Sequence, residues 1–152
     1  MTKEQYMEEA LKQAKIAFEL DEVPVGAIIV KDDKIIAKAY NFREHSNLAT
    51  DHAEIRAINI AEKLLNTWRL EGCDLYVTLE PCPLCAGACI QSRIRKVYYG
   101  APDLKAGSVD SVAELFMIPQ YNCHPESEGG IMKNECAKIL SDYFQLKRQI
   151  KK

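Results

Sequence analysis

Four residues of this 152-residue chain have types and a spacing that suit chemistry on a bound metal ion. His52 and Glu54 lie two positions apart, and Cys82 and Cys85 follow in a Pro-Cys-Pro-Leu-Cys run. One imidazole and two thiolates suit zinc, and a site with three protein ligands keeps a fourth position open for water. Zinc lowers the pKa of water at that position, and a nearby carboxylate that is not a ligand can transfer its protons. The pattern therefore predicts a catalytic zinc site in which Glu54 is the proton-transfer group.

The spacing of His52 and Glu54 restricts where these residues can lie. Two positions on a regular helix are about 200° apart, so both side chains reach one ion only from the first turn of a helix. Thr50 and Asp51 are good N-cap residues for such a helix. Pro81 likewise predicts the start of a second helix, whose positive end would stabilise thiolates. An apolar stripe at helical spacing follows the first motif, namely Ile55, Ala57, Ile58, Ala61, Leu64 and Leu65.

Each motif also has a simpler interpretation. Asp51 and Glu54 together form the pattern of a capping box, in which Glu54 would only accept a backbone hydrogen bond. A C-x-x-C pair also occurs in redox sites and as half of a structural zinc site. Cys89 shares a helical face with this pair, so three cysteines and His52 could close a structural site. The joint presence of both motifs, with a strand-like run before the second, favours the catalytic interpretation.

Composition indicates an ordinary globular protein. Hydrophobic residues make up 47% and charged residues 28% of the sequence, which suits a single domain over residues 1–152. The apolar stretches are too short to cross a bilayer, and the N-terminus begins as a charged amphipathic segment, so no membrane association is expected. Six cysteines without a signal peptide indicate a reducing, cytoplasmic setting. Those outside the C-x-x-C pair are expected to be buried or free thiols: Cys73, Cys89, Cys123 and Cys136.

Hydrophobic periodicity predicts alternating helices and strands. Helices are expected at residues 3–20, 52–67, 83–92, near 109–117 and at 132–148. Strands are expected at residues 23–30, 35–40, 75–79, 96–100 and 126–129, with the first two joined by a turn. A hairpin followed by strand–helix alternation predicts an α/β fold, with a mixed sheet of about five strands covered by helices on both faces.

Longer segments of the chain resemble a known family. The segments that carry the resemblance are Glu22–Ala27, Asn41–Arg43, His52–Glu54, Trp68–Cys73, Leu75–Cys82, Cys85–Ala88, Ser92–Ile94 and the tail residues Glu135, Cys136, Ala137, Leu140 and Phe144. The H-x-E and P-C-x-x-C motifs alone match the signature of zinc-dependent base deaminases. With the flanking segments, the chain resembles the bacterial tRNA adenosine deaminases (the TadA family) of the cytidine-deaminase-like superfamily.

This resemblance implies a three-layer α/β/α fold, a homodimer, and conversion of adenosine to inosine at the wobble position of a tRNA anticodon stem-loop. One Zn²⁺ per subunit would be held by His52, Cys82 and Cys85, and Glu54 would transfer protons during attack at C6 of adenine. Asn41 would hydrogen-bond the flipped nucleotide, and the backbone of Ala53 would border its base. The other positions that match substrate contacts are Asp103, Lys105 and Asn122.

The chain departs from the family pattern around the expected substrate mouth. Asp51 replaces an alanine before the first motif and adds a negative charge beside the metal site. Cys123 and His124 follow Asn122 where relatives often carry His-Arg, which removes an expected RNA contact. These two neighbours are not expected to bind one metal ion together. The segment 108–112 is less glycine-rich than in the family, and we expect such differences to affect substrate binding more than the chemistry.

Net charge is the main argument against an RNA partner. The chain has 20 Lys+Arg against 22 Asp+Glu, a net charge of −2, whereas nucleic-acid-binding proteins are commonly basic. Basic residues nevertheless cluster at Arg93, Arg95 and Lys96, and at Lys147, Arg148, Lys151 and Lys152. Such clusters are also common on solvated surfaces and at helix C-termini. Phe144, near the second cluster, is the aromatic residue best placed to stack on a base, and Phe42 could line the pocket.

Two other functions remain open from the sequence. The same zinc chemistry would serve a deaminase of a free nucleobase or nucleoside of the guanine or cytosine type. The chain could also be a non-catalytic, zinc-stabilised binding module in which Glu54 only caps a helix. The basic C-terminal cluster and the segment Asn41–Arg43 favour the RNA substrate over the free base.

Overall fold

The structure is a computed structural model that describes residues 1–150. Its helices are α1 (Lys3–Glu19), α2 (Arg43–Ser46), α3 (Ala53–Leu65), α4 (Pro83–Gln91) and α5 (Lys133–Ile150). Its strands are β1 (Gly26–Lys31), β2 (Lys34–Tyr40), β3 (Cys73–Leu79), β4 (Lys96–Ala101) and β5 (Glu126–Glu128), and a short 3₁₀ turn spans Leu115–Met117. The predicted α/β succession of elements is confirmed.

The strands form one mixed sheet in the order β2-β1-β3-β4-β5. β1 pairs antiparallel with β2 and β3, whereas β3–β4 and β4–β5 are parallel pairs. Asp32 and Asp33 close the β1–β2 hairpin with φ angles of 50° and 62°, a backbone that short polar residues tolerate in such turns. Parallel neighbours need a crossover, and α4 supplies it between β3 and β4. The predicted mixed sheet of about five strands is confirmed.

Successive side chains of the central strands alternate between two apolar layers. On β1, Ala27 and Ile29 join the layer that contains residues of α3 and α4, whereas Ile28 and Val30 join the layer that contains residues of α1 and α5. α1 lies so close to β1 that a Cβ atom on Gly26 would collide with backbone atoms of α1. The predicted three-layer α/β/α arrangement is therefore confirmed.

The start of α3 differs from the prediction. The helix begins at Ala53 with His52 in the N-cap position, so the prediction that Thr50 or Asp51 caps it is wrong. Asp51 instead forms an ion pair with Arg56, with 3.7 Å between Oδ1 and Nε. The negative charge that Asp51 adds beside the metal site therefore has a cationic partner.

The start of α4 also differs. The helix begins at Pro83, which has no N–H that needs a partner, and Cys82 takes the N-cap position. Pro81 was predicted to open this helix, but it lies before the first helical residue. The shift places the first cysteine at the helix end itself.

The helix predicted near 109–117 is wrong, apart from the 3₁₀ turn at Leu115–Met117. The backbone N–H groups of Val109, Asp110 and Ser111 all donate to the side chain of Glu80. Donors that converge on one carboxylate are unavailable for the regular hydrogen bonds of a helix. A distant side chain therefore decided the local conformation.

Two smaller differences lie on either side of the first hairpin. β1 begins at Gly26 and not at the predicted Val23, because the Val25 N–H turns back to the Val23 carbonyl at 2.8 Å. After β2, the chain forms the short helix α2, which the sequence pattern did not predict.

The predicted site residues lie at one end of the strands of the sheet. β3 leads into the Cys82 segment, β2 leads directly to Asn41, and β4 leads to Asp103. The antiparallel strand β1 begins at this same end. The carboxyl ends of strands in open α/β sheets commonly form ligand crevices. Within residues 1–150, no helix combines the length and the apolar character needed to span a membrane.

Candidate metal centre and active site

Two helix starts hold the predicted metal ligands. His52 is the N-cap residue of α3 and Cys82 is the N-cap residue of α4, and both have extended backbones. Cys85 follows in the first turn of α4. The Nδ1 atom of His52 lies 3.6 Å from Sγ of Cys82 and 3.4 Å from Sγ of Cys85. The fold therefore brings the two sequence motifs together as one cluster.

The spacing of these three ligand atoms fits zinc. Zn–S and Zn–N bonds of about 2.3 and 2.1 Å at a tetrahedral angle separate sulfur from nitrogen by about 3.6 Å. The two nitrogen–sulfur distances of 3.6 and 3.4 Å agree with this value, and the three ligand atoms all lie within 4.8 Å of one another. One nitrogen and two sulfur ligands also match the ligand preference of zinc. The residues present therefore fit the metal that the sequence predicts.

Protons are distributed unevenly in the cluster. The Cys85 thiol donates a hydrogen bond to Cys82 and lowers the pKa of Cys82 to about 4, with a further contribution from His52. The same hydrogen bond, together with burial, raises the pKa of Cys85. The hydrogen bond to Cys82 raises the pKa of His52. Zinc binds the deprotonated ligand atoms, so its binding displaces these protons.

Cys89 lies outside the ligand cluster. It is fully buried in α4 beyond Cys85, and burial raises the pKa of its thiol. Among residues 1–150, His52, Cys82 and Cys85 form the only group of three or more side chains whose ligand atoms could hold one ion. The geometry therefore favours three protein ligands and an open position over a closed four-ligand site.

Glu54 lies beside the cluster and is buried, with 5% of its surface exposed. Burial raises the pKa of Glu54 to about 7 because desolvation disfavours the charged form, although its own N–H and His52 oppose the rise. A carboxyl group with a pKa near neutrality can both accept and donate a proton. The capping-box interpretation is wrong, because His52 takes the cap position and Asp51 pairs with Arg56.

A cavity of about 390 Å³ opens beside Glu54. Its volume is typical of small-molecule sites, which span roughly 300 to 1,000 Å³. The predicted site residues in its lining are Asn41, His52, Ala53, Glu54, Cys82 and Asp103. A larger groove of about 560 Å³ between α1 and α5 is lined by other residues. The structure therefore concentrates the predicted chemistry in the smaller cavity.

The Asn41 amide is held in one orientation at the cavity wall. Its Nδ2 donates to the Val23 carbonyl at 3.2 Å, and its Oδ1 accepts the Arg43 N–H at 3.3 Å. Because both ends of the amide are hydrogen-bonded to backbone, its remaining donor and acceptor capacity has a fixed direction. The predicted contact between Asn41 and a nucleotide is compatible with this arrangement and stays a prediction.

Two predicted substrate contacts lie outside the cavity lining. Lys105 lines an adjoining groove together with Phe144, Lys147 and Arg148. Asn122 lies in an exposed turn. The neighbouring His124 has Nε2 2.8 Å from the Ile118 carbonyl oxygen, so one of its two ring nitrogens is hydrogen-bonded to backbone. Contacts of Lys105 and Asn122 with nucleotides beyond the base remain predictions.

The sequence pattern missed a buried carboxylate that supports the Asn41 side of the cavity. Glu22 is fully buried, and its oxygens accept the backbone N–H groups of Glu44 at 3.0 Å and His45 at 2.7 Å. The His45 ring bonds the same carboxylate at 2.6 Å and stacks on Phe42. Burial would raise the pKa of Glu22, but these donors hold it below its usual value. No local pattern signals such a contact, because its partners lie 22 and 23 residues further along the chain.

A mixed sheet between two helical layers, with two helix starts that converge on one histidine and two cysteines beside a buried glutamate, defines a deaminase domain. The model of the MafB19-like deaminase family matches residues 1–148. The tRNA-specific adenosine deaminase of Bacillus subtilis (strain 168) is 47% identical over 149 residues, which cover 98% of this chain and 92% of the relative. The chain therefore belongs to the MafB19-like deaminase family and, within that class, to the tRNA-specific adenosine deaminases.

Solved structures of deaminases share this fold. A structure from a study of A-to-I editing by tRNA:A34 deaminases at the wobble position of transfer RNA is 46% identical, with a TM-score of 0.87, and covers 90% of this chain and 99% of that one. A guanine deaminase from Bacillus subtilis is 32% identical, with a TM-score of 0.66, and covers 98% of this chain and 95% of its own.

Proposed function

We propose that this chain is a cytoplasmic, single-domain enzyme that converts adenosine to inosine at the wobble position of a tRNA anticodon. The observation that carries the proposal is buried Glu54 beside the three-ligand cluster, in a chain 47% identical to a tRNA-specific adenosine deaminase. The six cysteines are free thiols, which supports a reducing compartment.

His52, Cys82 and Cys85 would hold one zinc ion per subunit. When bound, zinc supplies Lewis acidity and lowers the pKa of water. Glu54 accepts a proton from the attacking water and returns protons to the purine ring nitrogen and to the departing ammonia. The new bond forms at C6 and the bond from C6 to the amino nitrogen breaks, so adenosine and water become inosine and ammonia. The near-neutral pKa of Glu54 suits both proton transfers.

The cavity suits a base that has left its stack. A base inside a paired or stacked nucleic acid cannot reach a buried catalytic group, so such enzymes act on a flipped or unpaired nucleotide. The Asn41 amide on one wall could hydrogen-bond that nucleotide, and the backbone of Ala53 could border the base. Asp103, in the loop after β4, also lines the cavity and would contact the flanking nucleotides.

A basic groove beside the cavity supports an RNA substrate. The groove has a volume of about 350 Å³ and is lined by Lys105, Phe144, Lys147 and Arg148. Phe144 is 45% exposed and available to stack on a base. Lys105 and Arg148 can meet phosphates, whereas Lys147 pairs with Asp21 at 3.0 Å. Such a local concentration of positive charge is compatible with a net charge of −2. Lys151 and Lys152 of the predicted basic cluster lie outside the described residues.

Replacing Arg148 with glutamine should weaken binding of an anticodon stem-loop and reduce its salt dependence. If the guanidinium meets one phosphate, the slope of log Kd against log salt should become shallower by about 1. Fluorescence anisotropy over a series of KCl concentrations measures this slope. Lys138→Gln is the matched control, because Lys138 lies on the same helix but pairs with Asp142 and borders a different groove. Equal changes in both variants would argue against the basic groove as the RNA contact.

We further propose that the chain forms a homodimer through the α3–α4 face. Trp68 is 53% exposed and borders a groove between these helices, together with Ile55 and Ile58. Large apolar and aromatic side chains grouped on a surface are typical of protein–protein interfaces. Sedimentation analysis of the zinc-loaded protein tests this proposal, and a monomer at micromolar concentration would contradict it.

Deamination of a free nucleobase is the second candidate function. The same fold occurs in a guanine deaminase 32% identical to this chain, and a cavity of about 390 Å³ can hold a single purine base. The basic groove with its exposed Phe144 has no evident use in this alternative. Direct comparison of the substrates separates the two functions.

The first experiment is inosine formation by the zinc-loaded protein on an anticodon stem-loop with adenosine at the wobble position. A stem-loop with adenosine moved by one position is the control, and ammonia release from free guanine, adenosine and cytidine is measured in parallel. Inosine at the wobble position alone supports the proposal. Ammonia from a free base, without change in the RNA, would support the proposed zinc chemistry but assign the enzyme to nucleobase metabolism.

A further inference from the structure

Glu80 is a buried residue of the cavity lining, next to the metal-binding segment. It follows β3, directly precedes Pro81 and Cys82, and is 1% exposed. A carboxylate buried so deeply is tolerated only when donors satisfy its oxygens. Glu80 therefore needs hydrogen-bond donors from the segments that pack around it.

All the donors to the Glu80 side chain come from one loop, residues 103–111. Oε2 accepts the N–H groups of Val109 at 3.2 Å, Asp110 at 2.8 Å and Ser111 at 2.9 Å. Oε1 accepts the N–H of Asp103 at 3.1 Å and the hydroxyl of Ser111. Both ends of the loop are therefore bound to the same carboxylate.

The first part of this loop forms a wall of the cavity. Asp103 and Ala106 line the cavity. The Asp103 carboxylate accepts the N–H groups of Lys105 at 3.0 Å and Ala106 at 3.1 Å, which closes a tight turn. A Cβ atom on Gly107 would collide with the Glu80 carboxyl group, so the turn lies directly against that group. Movement of the Glu80 carboxylate would therefore move the cavity wall.

The loop is also attached to the metal-binding segment. The Ser108 N–H donates to the Pro81 carbonyl at 2.8 Å, one residue before Cys82. Together with the bonds to Glu80, this contact fixes the loop relative to the start of α4. Positioned groups need such a rigid support to keep a substrate in productive geometry.

We propose that Glu80 is a positioning residue that fixes the 103–106 turn relative to the metal ligands and thereby determines affinity for the nucleotide substrate. The inference rests on the proposed deaminase function. Asp103 and Lys105, both in this turn, are predicted nucleotide contacts. Glu54 belongs to a different element, α3, and accepts no hydrogen bond from this loop. Loss of the hydrogen bonds between Glu80 and this loop should therefore weaken substrate binding more than it slows the chemical step.

Glu80→Gln separates the two halves of this contact. The amide oxygen can replace Oε2 and keep the three N–H donors of residues 109–111. The amide NH₂ then replaces Oε1 and faces the Asp103 N–H, where two donors oppose each other. The variant should therefore release the Asp103 end of the loop and leave the other end bound.

The experiment combines amide hydrogen exchange with steady-state kinetics on the zinc-loaded variant. We expect faster exchange at residues 103–106, little change at 109–111, and a KM for the anticodon stem-loop raised about tenfold with kcat within about threefold. Glu80→Asp, which keeps the charge, should recover part of the loss. Asp74→Asn is the matched control, because it removes a carboxylate from the other end of β3, where Asp74 pairs with Arg95.

The outcomes are distinct. Unchanged exchange at 103–106, a KM equal to that of Asp74→Asn, or loss of zinc together with kcat would each overturn the positioning role. If the wild-type protein does not deaminate the stem-loop, the proposed function fails independently. Hydrogen exchange then still decides whether Glu80 fixes the turn.

Discussion

Replacing Glu54 with glutamine should lower kcat on the anticodon stem-loop by about 10²- to 10⁴-fold, the usual contribution of general acid–base catalysis. Glutamine has nearly the same shape but cannot carry a proton between water and the purine ring. Zinc content should stay at one ion per chain, because Glu54 is not part of the ligand cluster. Steady-state kinetics and elemental analysis of the same preparation provide both values.

Glu8→Gln is a suitable control for this variant. Glu8 is exposed on α1 and borders the groove between α1 and α5, away from the cavity. It should retain wild-type kcat. If the wild-type protein binds zinc and RNA but never turns over substrate, and Glu54→Gln behaves in the same way, the protein is a zinc-stabilised binding module and not an enzyme.

Replacing Cys82 with alanine should remove both zinc and turnover. The two remaining protein ligands hold an ion far less tightly. The fall in zinc affinity should exceed the roughly 10- to 100-fold fall that follows from altering residues that hydrogen-bond the ligands. The Cys85 thiol also lowers the pKa of Cys82 to about 4, which favours the thiolate that zinc binds. Zinc titration against a competing chelator measures the loss.

Cys89→Ala is the control for this substitution. Cys89 lies in the same helix and is fully buried, but outside the ligand cluster, so this variant should keep one zinc ion and wild-type kcat. Zinc should raise the Tm of the wild type and of Cys89→Ala but not of Cys82→Ala, because a ligand stabilises only the state that binds it. Stoichiometric zinc in Cys82→Ala would refute the ligand assignment and make Cys89 the replacement ligand.

The order of helices and strands was predictable because it depends on short-range patterns. The alternation in β1 and the apolar stripe that follows Glu54 both reflect burial on one face of a regular element. The ends of elements were less predictable. His52 caps α3 in place of the expected Thr50 or Asp51, and α4 begins after the expected Pro81. Local residue preferences locate a helix end only to within about one or two residues.

By itself, the sequence predicted the chemistry, because His52, Glu54, Cys82 and Cys85 belong to two local motifs whose residue types restrict the metal and the reaction. Only the tertiary structure decided that Cys89 stays outside the metal cluster and that Lys105 joins the α5 groove. The roles of Glu22 and Glu80 also depended on it, since their donors lie 22 to 31 residues further along the chain. A buried carboxylate takes its hydrogen bonds from whichever segment the fold places beside it, and no local pattern records that choice.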